Sequence, residues 1–405
     1  MQESKLELLS PAGDLSILEA AVDYGADAVY LAGEEFGMRN AAKNFGEADL
    51  IKGVKYCHDR GVKAYVACNT IPHNEEMKRM PEYLEFLADV GVDAIIASDI
   101  GTMGLIKKYA PKQELHISVQ SGIVNYETAR AFHDMGANRI VVARELSLDE
   151  IAEIRAKTPS DLKIEAFVHG AMCVSFSARC LLSQYMTGRD SNRGDCAQSC
   201  RWSYSLVEAN RPGEYYDITE TDKGTYILNA NDLCMAPYIR QLADSGIYSL
   251  KIEGRAKSHY YVAVATNAYR GAVDAYYKNP LSPMPEWVGE ELNKISHRNY
   301  STGFYFGNPE GKQNYASAGY NRDYAVAAVV NGYENGCVVA TVKNKFSIGA
   351  TLDCLTFKQS PFELSVGQMF NENNEPIEAA PHPMMTVKIP FEKEIKKGSI
   401  LRIKC

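Results

Sequence analysis

Along the first half of the chain, short unbroken apolar runs alternate with longer stretches where apolar residues recur every three or four positions. Unbroken runs of this kind suit strands buried on both faces, as in a parallel sheet, and the longer stretches suit amphipathic helices. The pattern predicts strands over 6–10, 28–32, 63–69, 94–98, 115–120, 139–144, 163–169 and 248–253, and helices including 15–24, 49–60, 80–90 and 128–135. A recurring phrase punctuates the alternation: Tyr24-Gly25-Ala26-Asp27, Val90-Gly91-Val92-Asp93, Met135-Gly136-Ala137-Asn138 and Ser245-Gly246-Ile247 each stand directly before an apolar run. Each reads as a helix closed by a left-handed glycine at the position after its C-cap. Eight such strand–helix units predict a (β/α)8 barrel of the TIM type rather than an open doubly wound sheet.

The regular spacing breaks twice. Between the seventh and eighth strands lies a long insertion, residues 170–246. After about residue 315 the segments 324–330, 336–342 and 385–389 are short and β-rich, with Asn331-Gly332 and Asn335-Gly336 as expected turns. The chain is therefore divided into a barrel with its insertion (1–278), a Pro-rich linker region (279–314) and a small all-β, barrel-like domain (315–405).

Charge and composition narrow the chemistry. A net charge of −8 argues against bulk electrostatic attachment to nucleic acid, though a local basic patch that docks a structured RNA is compatible with it. No apolar run is long enough to span a membrane, and the N-terminus lacks a secretory pattern, so the expected location is the cytosol. Ten cysteines in that compartment point to metal binding or catalysis rather than disulfides.

Half of those cysteines crowd the insertion: Cys173, Cys180, Cys196, Cys200 and Cys234. Thiolates suit an iron–sulfur cluster or zinc. The spacing contains no CxxC pair, which favours the cluster, and it leaves Cys196 and Cys200 open as alternatives. The same insertion carries Arg179, Arg189, Arg193 and Arg201, either anion-binding forks or a loop stapled by ion pairs to residues such as Asp190 and Asp195. Polar residues at the C-terminal ends of barrel strands face the mouth where such enzymes work. Here these are Asn69, Asp99, Gln120, Arg144, Glu145, His169, Glu253 and Arg255, with His169 as an acid–base candidate.

Several longer strings carry a resemblance: Leu8-Leu9-Ser10-Pro11-Ala12-Gly13-Asp14, Ala143-Arg144-Glu145-Leu146-Ser147, Glu165 through Cys173, Ser177 through Ser183, Gly188 through Cys196, and Lys251 through Arg255. On these the chain resembles the U32 family of collagenase-like peptidases over nearly its whole length. The resemblance implies an oxygen-independent hydroxylation factor that forms 5-hydroxyuridine at the tRNA wobble position, with prephenate as hydroxyl donor. It implies a [4Fe–4S] cluster on Cys173, Cys180, Cys196 and Cys234, with zinc as the alternative metal. From the mouth position and the strings, Glu165, His169 and Glu253 are expected as catalytic groups, and Gln120, Arg144, Arg179 and Arg255 as substrate contacts. Expected partners are tRNA, a small anion, and a second copy or a paralogue in an oligomer. Two other readings stand beside this one, a peptidase and a non-catalytic scaffold bearing a cluster. Neither a His-Glu-x-x-His helix nor a Gly-x-Ser-x-Gly elbow occurs in the chain.

Overall fold

The computed structural model describes residues 5–38, 44–173, 175–176, 179–202, 220–221, 224–225, 231–307 and 323–405. It divides into two compact units. The first comprises Met1–Val22, Ala26–Lys257 and His297–Tyr320; the second comprises Asp23–Gly25, Ser258–Ser296 and Asn321–Cys405.

In the first unit the eight predicted strands are all present: β1 (Glu7–Pro11), β2 (Ala28–Leu31), β3 (Lys63–Cys68), β4 (Ala94–Ala97), β5 (Glu114–Ile117), β6 (Arg139–Val141), β7 (Lys163–Ala171) and β8 (Ser249–Ile252). Each pairs in parallel with the next, and β8 pairs with both β7 and β1, so the sheet closes. Closure explains the unbroken apolar runs, because one face lines the barrel and the other meets the helices. Inward side chains such as Leu9, Tyr30, Tyr65 and Ile96 form one buried cluster. The glycine expected after each helix adopts positive φ, for instance 79° at Gly91 and 89° at Gly136, where a residue with Cβ would be strained.

Two short strands add to the sheet beyond the barrel. Asp232–Cys234 pairs antiparallel with β7, setting Cys234 opposite His169, and Tyr300–Ser301 runs parallel beside it. A buried ion pair fixes this addition: the Arg298 guanidinium donates to Asp232 Oδ1 at 3.0 and 2.7 Å. The stretch 279–314, expected as a linker region, holds helix Glu286–Asn293 and the strand Tyr300–Ser301.

The second unit combines helices His259–Lys278 and Glu286–Asn293 with a 7-stranded antiparallel sheet, in line with the expected C-terminal all-β region. Strand Tyr324–Glu334 lies between Cys337–Val342 and Ile400–Lys404. Asn335-Gly336 is a two-residue hairpin turn with φ of 50° and 77°, as the dipeptide predicts. Asn331-Gly332 is not a turn. It lies inside Tyr324–Glu334, where the register shifts between Val330 and Gly332, so the glycine serves a bulge instead. Arg402, wholly buried, donates to Glu291 at 2.5 Å and Asp353 at 3.0 Å, tying sheet to helix within this unit.

Candidate active site at the barrel mouth

The C-terminal ends of the strands enclose a cavity of about 90 Å³, lined among others by Asn69, Gln120, Arg144, Lys251, Glu253 and Arg255. Local sequence explains how each lining group is held. After β1, Asp14 caps the next helix by accepting from the Ile17 amide at 3.0 Å. Gly13 lets the Arg255 backbone approach, since a Cβ there would lie 2.2 Å from the Arg255 carbonyl oxygen. After β6, Ser147 and Glu150 form a capping box that opens helix Leu148–Lys157 and anchors the turn carrying Arg144. Asp99, predicted to face the mouth, is a helix cap instead, accepting from the Thr102 amide at 2.9 Å.

The polar wall is interlocked. Gln120 Oε1 accepts from Asn69 at 3.0 Å and Ser98 at 3.1 Å, which orients its amide. Arg144 lies with its guanidinium 3.9 Å from the Phe167 ring centroid, donates to the Ala171 carbonyl at 3.2 Å, and pairs with Glu253 at 3.4 Å. Its buried Nε has no hydrogen-bond partner among the described residues. Arg255 donates to Asn44 at 2.8 Å.

One layer deeper lies a second charged set. Arg139, wholly buried, donates to Glu7 at 2.6 Å and Glu165 at 2.9 Å, while Lys251 donates to Glu165 at 2.7 Å. Tyr65 and Ser249 hydroxyls complete the shell of Glu7 at 2.7 and 2.8 Å. Burial alone would raise the Glu165 carboxyl; Lys251 and Arg139 overcome that and hold it at about 2. Glu165 is therefore an ionised counter-charge inside the barrel, reaching the cavity only through Lys251.

His169 is buried and outside the cavity lining. A register shift between Lys251 and Ile252 sets it opposite Ile252, with its ring 5.5 Å from Tyr300, which in turn stacks on His297 at 4.2 Å. Burial, aided by His297 and Lys257 against Asp232, pushes its pKa down to about 3. The imidazole is thus neutral near pH 7 and a weak base. Arg179 is exposed and also apart from the lining. Arg189 pairs with Asp195 at 2.6 Å and Arg193 with Glu76 at 2.8 Å, so these two staple the insertion. The Arg201 side chain lies outside the described residues.

The cysteines of the insertion are partly or fully exposed. Cys180 is held through its backbone: the Asn192 amide donates to its carbonyl at 3.1 Å and accepts from its N–H at 3.3 Å. Burial would raise its thiol, but hydrogen bonds from Ser175, Leu182, Ser183 and Ser191 hold it below its ordinary value. The Leu182 amide donates to Cys180 Sγ at 3.3 Å, and the Gln198 amide to Cys196 Sγ at 3.4 Å. Thiols receiving backbone N–H bonds are the donor chemistry that iron–sulfur centres use. Among the described residues, no three Cys, His, Asp or Glu side chains converge as a ready-made metal site.

Sequence reasoning did not single out Lys251, Ser118, Phe167 or Tyr30 as lining groups. A signal for Lys251 was present, since Lys251, Glu253 and Arg255 alternate with period two along one strand and its extension.

A closed parallel barrel with charged groups gathered at its C-terminal mouth has the architecture of a barrel enzyme. Residues 13–315 match peptidase family U32 and residues 322–402 match the peptidase family U32 C-terminal domain; the chain belongs to that family. It is 36% identical to tRNA hydroxylation protein P1 of Bacillus subtilis (strain 168), covering 98% of this chain and 94% of the relative. It is 35% identical to tRNA hydroxylation protein P of Escherichia coli (strain K12), covering 97% and 95%. It is also 40% identical, over 67% of this chain and 40% of the relative, to the 23S rRNA 5-hydroxycytidine C2501 synthase of E. coli.

Proposed function

We propose that this chain hydroxylates RNA, converting the wobble uridine of tRNA to 5-hydroxyuridine in the cavity at the barrel mouth. The observation that carries the reading is the similarity, over nearly the full length of both chains, to proteins named for tRNA hydroxylation. Replacing C5–H by C5–OH is a two-electron oxidation of the base, so a hydroxyl donor that is itself reduced must bind beside it. Lys251, Arg144 and Arg255 line the cavity with Glu253 as the carboxylate among them, an excess of cations that suits an anionic donor such as prephenate. Arg144 is the donor's principal fork, held over the Phe167 ring and offering its buried Nε. Gln120, its amide fixed by Asn69 and Ser98, selects among groups at the far wall. Glu253 orients Arg144, and Glu165 positions Lys251.

Cys173, Cys180, Cys196 and Cys234 are the residues that would hold a [4Fe–4S] cluster, which when bound supplies one-electron transfer and Lewis-acidic iron. The N–H bonds to Cys180 and Cys196 favour the thiolate forms that ligation requires. A proteolytic role finds less support: a nucleophilic cysteine needs a base, and His169 is buried and held at about 3.

The test is nucleoside mass spectrometry of tRNA from a strain lacking the gene. Expression of the intact chain restores 5-hydroxyuridine, whereas Cys173→Ala and Arg144→Met forms leave uridine unmodified. Unchanged 5-hydroxyuridine in the deletion strain rejects the proposal.

A further inference from the structure

The insertion bears an unusual surface. Of fourteen large apolar side chains that are exposed among the described residues, five belong to it: Phe176, Leu181, Tyr185, Met186 and Trp202. Single exposed apolar residues are ordinary, but a run of them with three aromatic rings marks an interaction face. Tyr185 is 85% exposed and Trp202 42%. They are brought near each other because helix Leu182–Thr187 packs against Ser199–Arg201, immediately before Trp202. Phe176, 52% exposed, lies over Gly122, two residues from the cavity-lining Gln120; its ring carbon would be 3.3 Å from a Cβ placed there. The apolar face thus begins at the rim of the cavity.

Charge indicates what covers it. Residues 173–202 carry four arginines against two aspartates, in a chain whose net charge is −8; with Arg189 paired to Asp195 and Arg193 to Glu76, Arg179 and Arg201 supply the local excess of positive charge. A locally cationic face with exposed rings suits a polyanion bearing flat apolar groups. The recessed cavity adds a steric reason. A base can reach it only by leaving its stack, and its unstacked neighbours then need other flat surfaces.

We propose that Phe176, Tyr185 and Trp202 form a stacking platform for the unpaired nucleotides that flank the base entering the cavity. This rests on the RNA-modifying reading above and extends it by assigning the surface and the conformation of RNA it takes. The platform binds single-stranded or looped RNA with little sequence preference, because every base has a π face. Stacking is not ionic, so removing a ring weakens binding without changing its dependence on salt.

The experiment measures fluorescence anisotropy of the anaerobically purified full chain with a short labelled single-stranded RNA and with the same sequence held in a duplex. The intact protein is expected to prefer the single strand by about tenfold or more. Tyr185→Ala and Trp202→Ala each weaken that binding about tenfold at unchanged salt slope, in line with the loss of one stacked base. Tyr185→Phe, which keeps the ring, stays within about twofold, separating stacking from a fold defect. Alanine variants that bind as tightly as the intact chain overturn the proposal, as does sedimentation showing a dimer that these variants dissociate. If the intact chain binds single strand and the variants match it, only the platform falls. If the intact chain binds neither RNA, the RNA-modifying reading falls with it.

Discussion

Two charged layers share one barrel and differ in how tightly their opposite charges are paired. In the deeper layer, Glu7, Glu165, Arg139 and Lys251 bond one another at 2.6 to 3.1 Å, with hydroxyls closing the remaining shell of Glu7. In the mouth layer, Arg144 meets Glu253 at a looser 3.4 Å, and its buried Nε, like that of Arg139, has no hydrogen-bond partner among the described residues. Tightly paired buried ions hold shape but add little net stability, because desolvation offsets their attraction. A loosely paired arginine beside a cavity holds donors in reserve for a ligand. The same residue types therefore do different work according to how closely the fold pairs them.

The comparison breaks most visibly at Arg139. Arg139→Met leaves Glu7 buried without a counter-charge and Glu165 with Lys251 alone, and the expected loss is about 3–5 kcal/mol, read from the urea midpoint. A midpoint that stays put would mean that water solvates the deep layer. Arg144→Lys should do the reverse, lowering hydroxylation by about 100-fold through loss of the fork geometry while leaving the midpoint nearly unmoved. Comparable losses in both properties would merge the two layers into one structural unit.

Acid sharpens the contrast through His116, whose Nε2 lies 3.0 Å from Glu114. Burial depresses its imidazole from 6.5 to about 4, so between those values the unfolded chain binds a proton that the folded barrel refuses. Stability is intact above pH 6.5 and falls as pH drops toward 4, by on the order of 2 kcal/mol from this residue between pH 6.5 and 5. The slope of urea midpoint against pH should flatten in His116→Asn. Gly13→Ala should cost activity several-fold, because the new methyl displaces the Arg255 backbone; parallel KM and kcat measurements would locate the defect. Arg179→Ala, at an exposed position, should change stability by less than about 0.5 kcal/mol in thermal melts.

The barrel strands were legible because doubly buried parallel strands read as unbroken apolar runs. The glycines were legible because a left-handed helix end tolerates few other residues. Gln120, Arg144, Glu253 and Arg255 followed from the rule that strand C-termini line the mouth, and the cavity brings all four together. What stayed hidden depended on register and depth. Glu165 is two residues before the cavity-lining Phe167 on the same strand, yet it belongs to the layer below. His169 leaves the inward series because of a bulge that no local pattern announces. How the insertion arranges its thiols depends on long loop closures rather than on propensity, so their spacing narrows the metal chemistry without showing a site.

The order in which the chain visits its two units has a consequence for biosynthesis and dissection. After β8 the chain enters the second unit, returns to the first at His297–Tyr320, and leaves again. A fragment ending at Lys257 would contain all eight barrel strands but lack Arg298, stranding Asp232, and Tyr305, whose hydroxyl donates to the Phe167 carbonyl at 2.6 Å. On the ribosome the first unit therefore cannot complete itself when its last strand emerges. It must wait for a later segment, while helices of the other unit are already outside. Expression boundaries drawn at the end of the barrel strands would cut through a folding unit, and a separable first unit would need residues 297–307 grafted back.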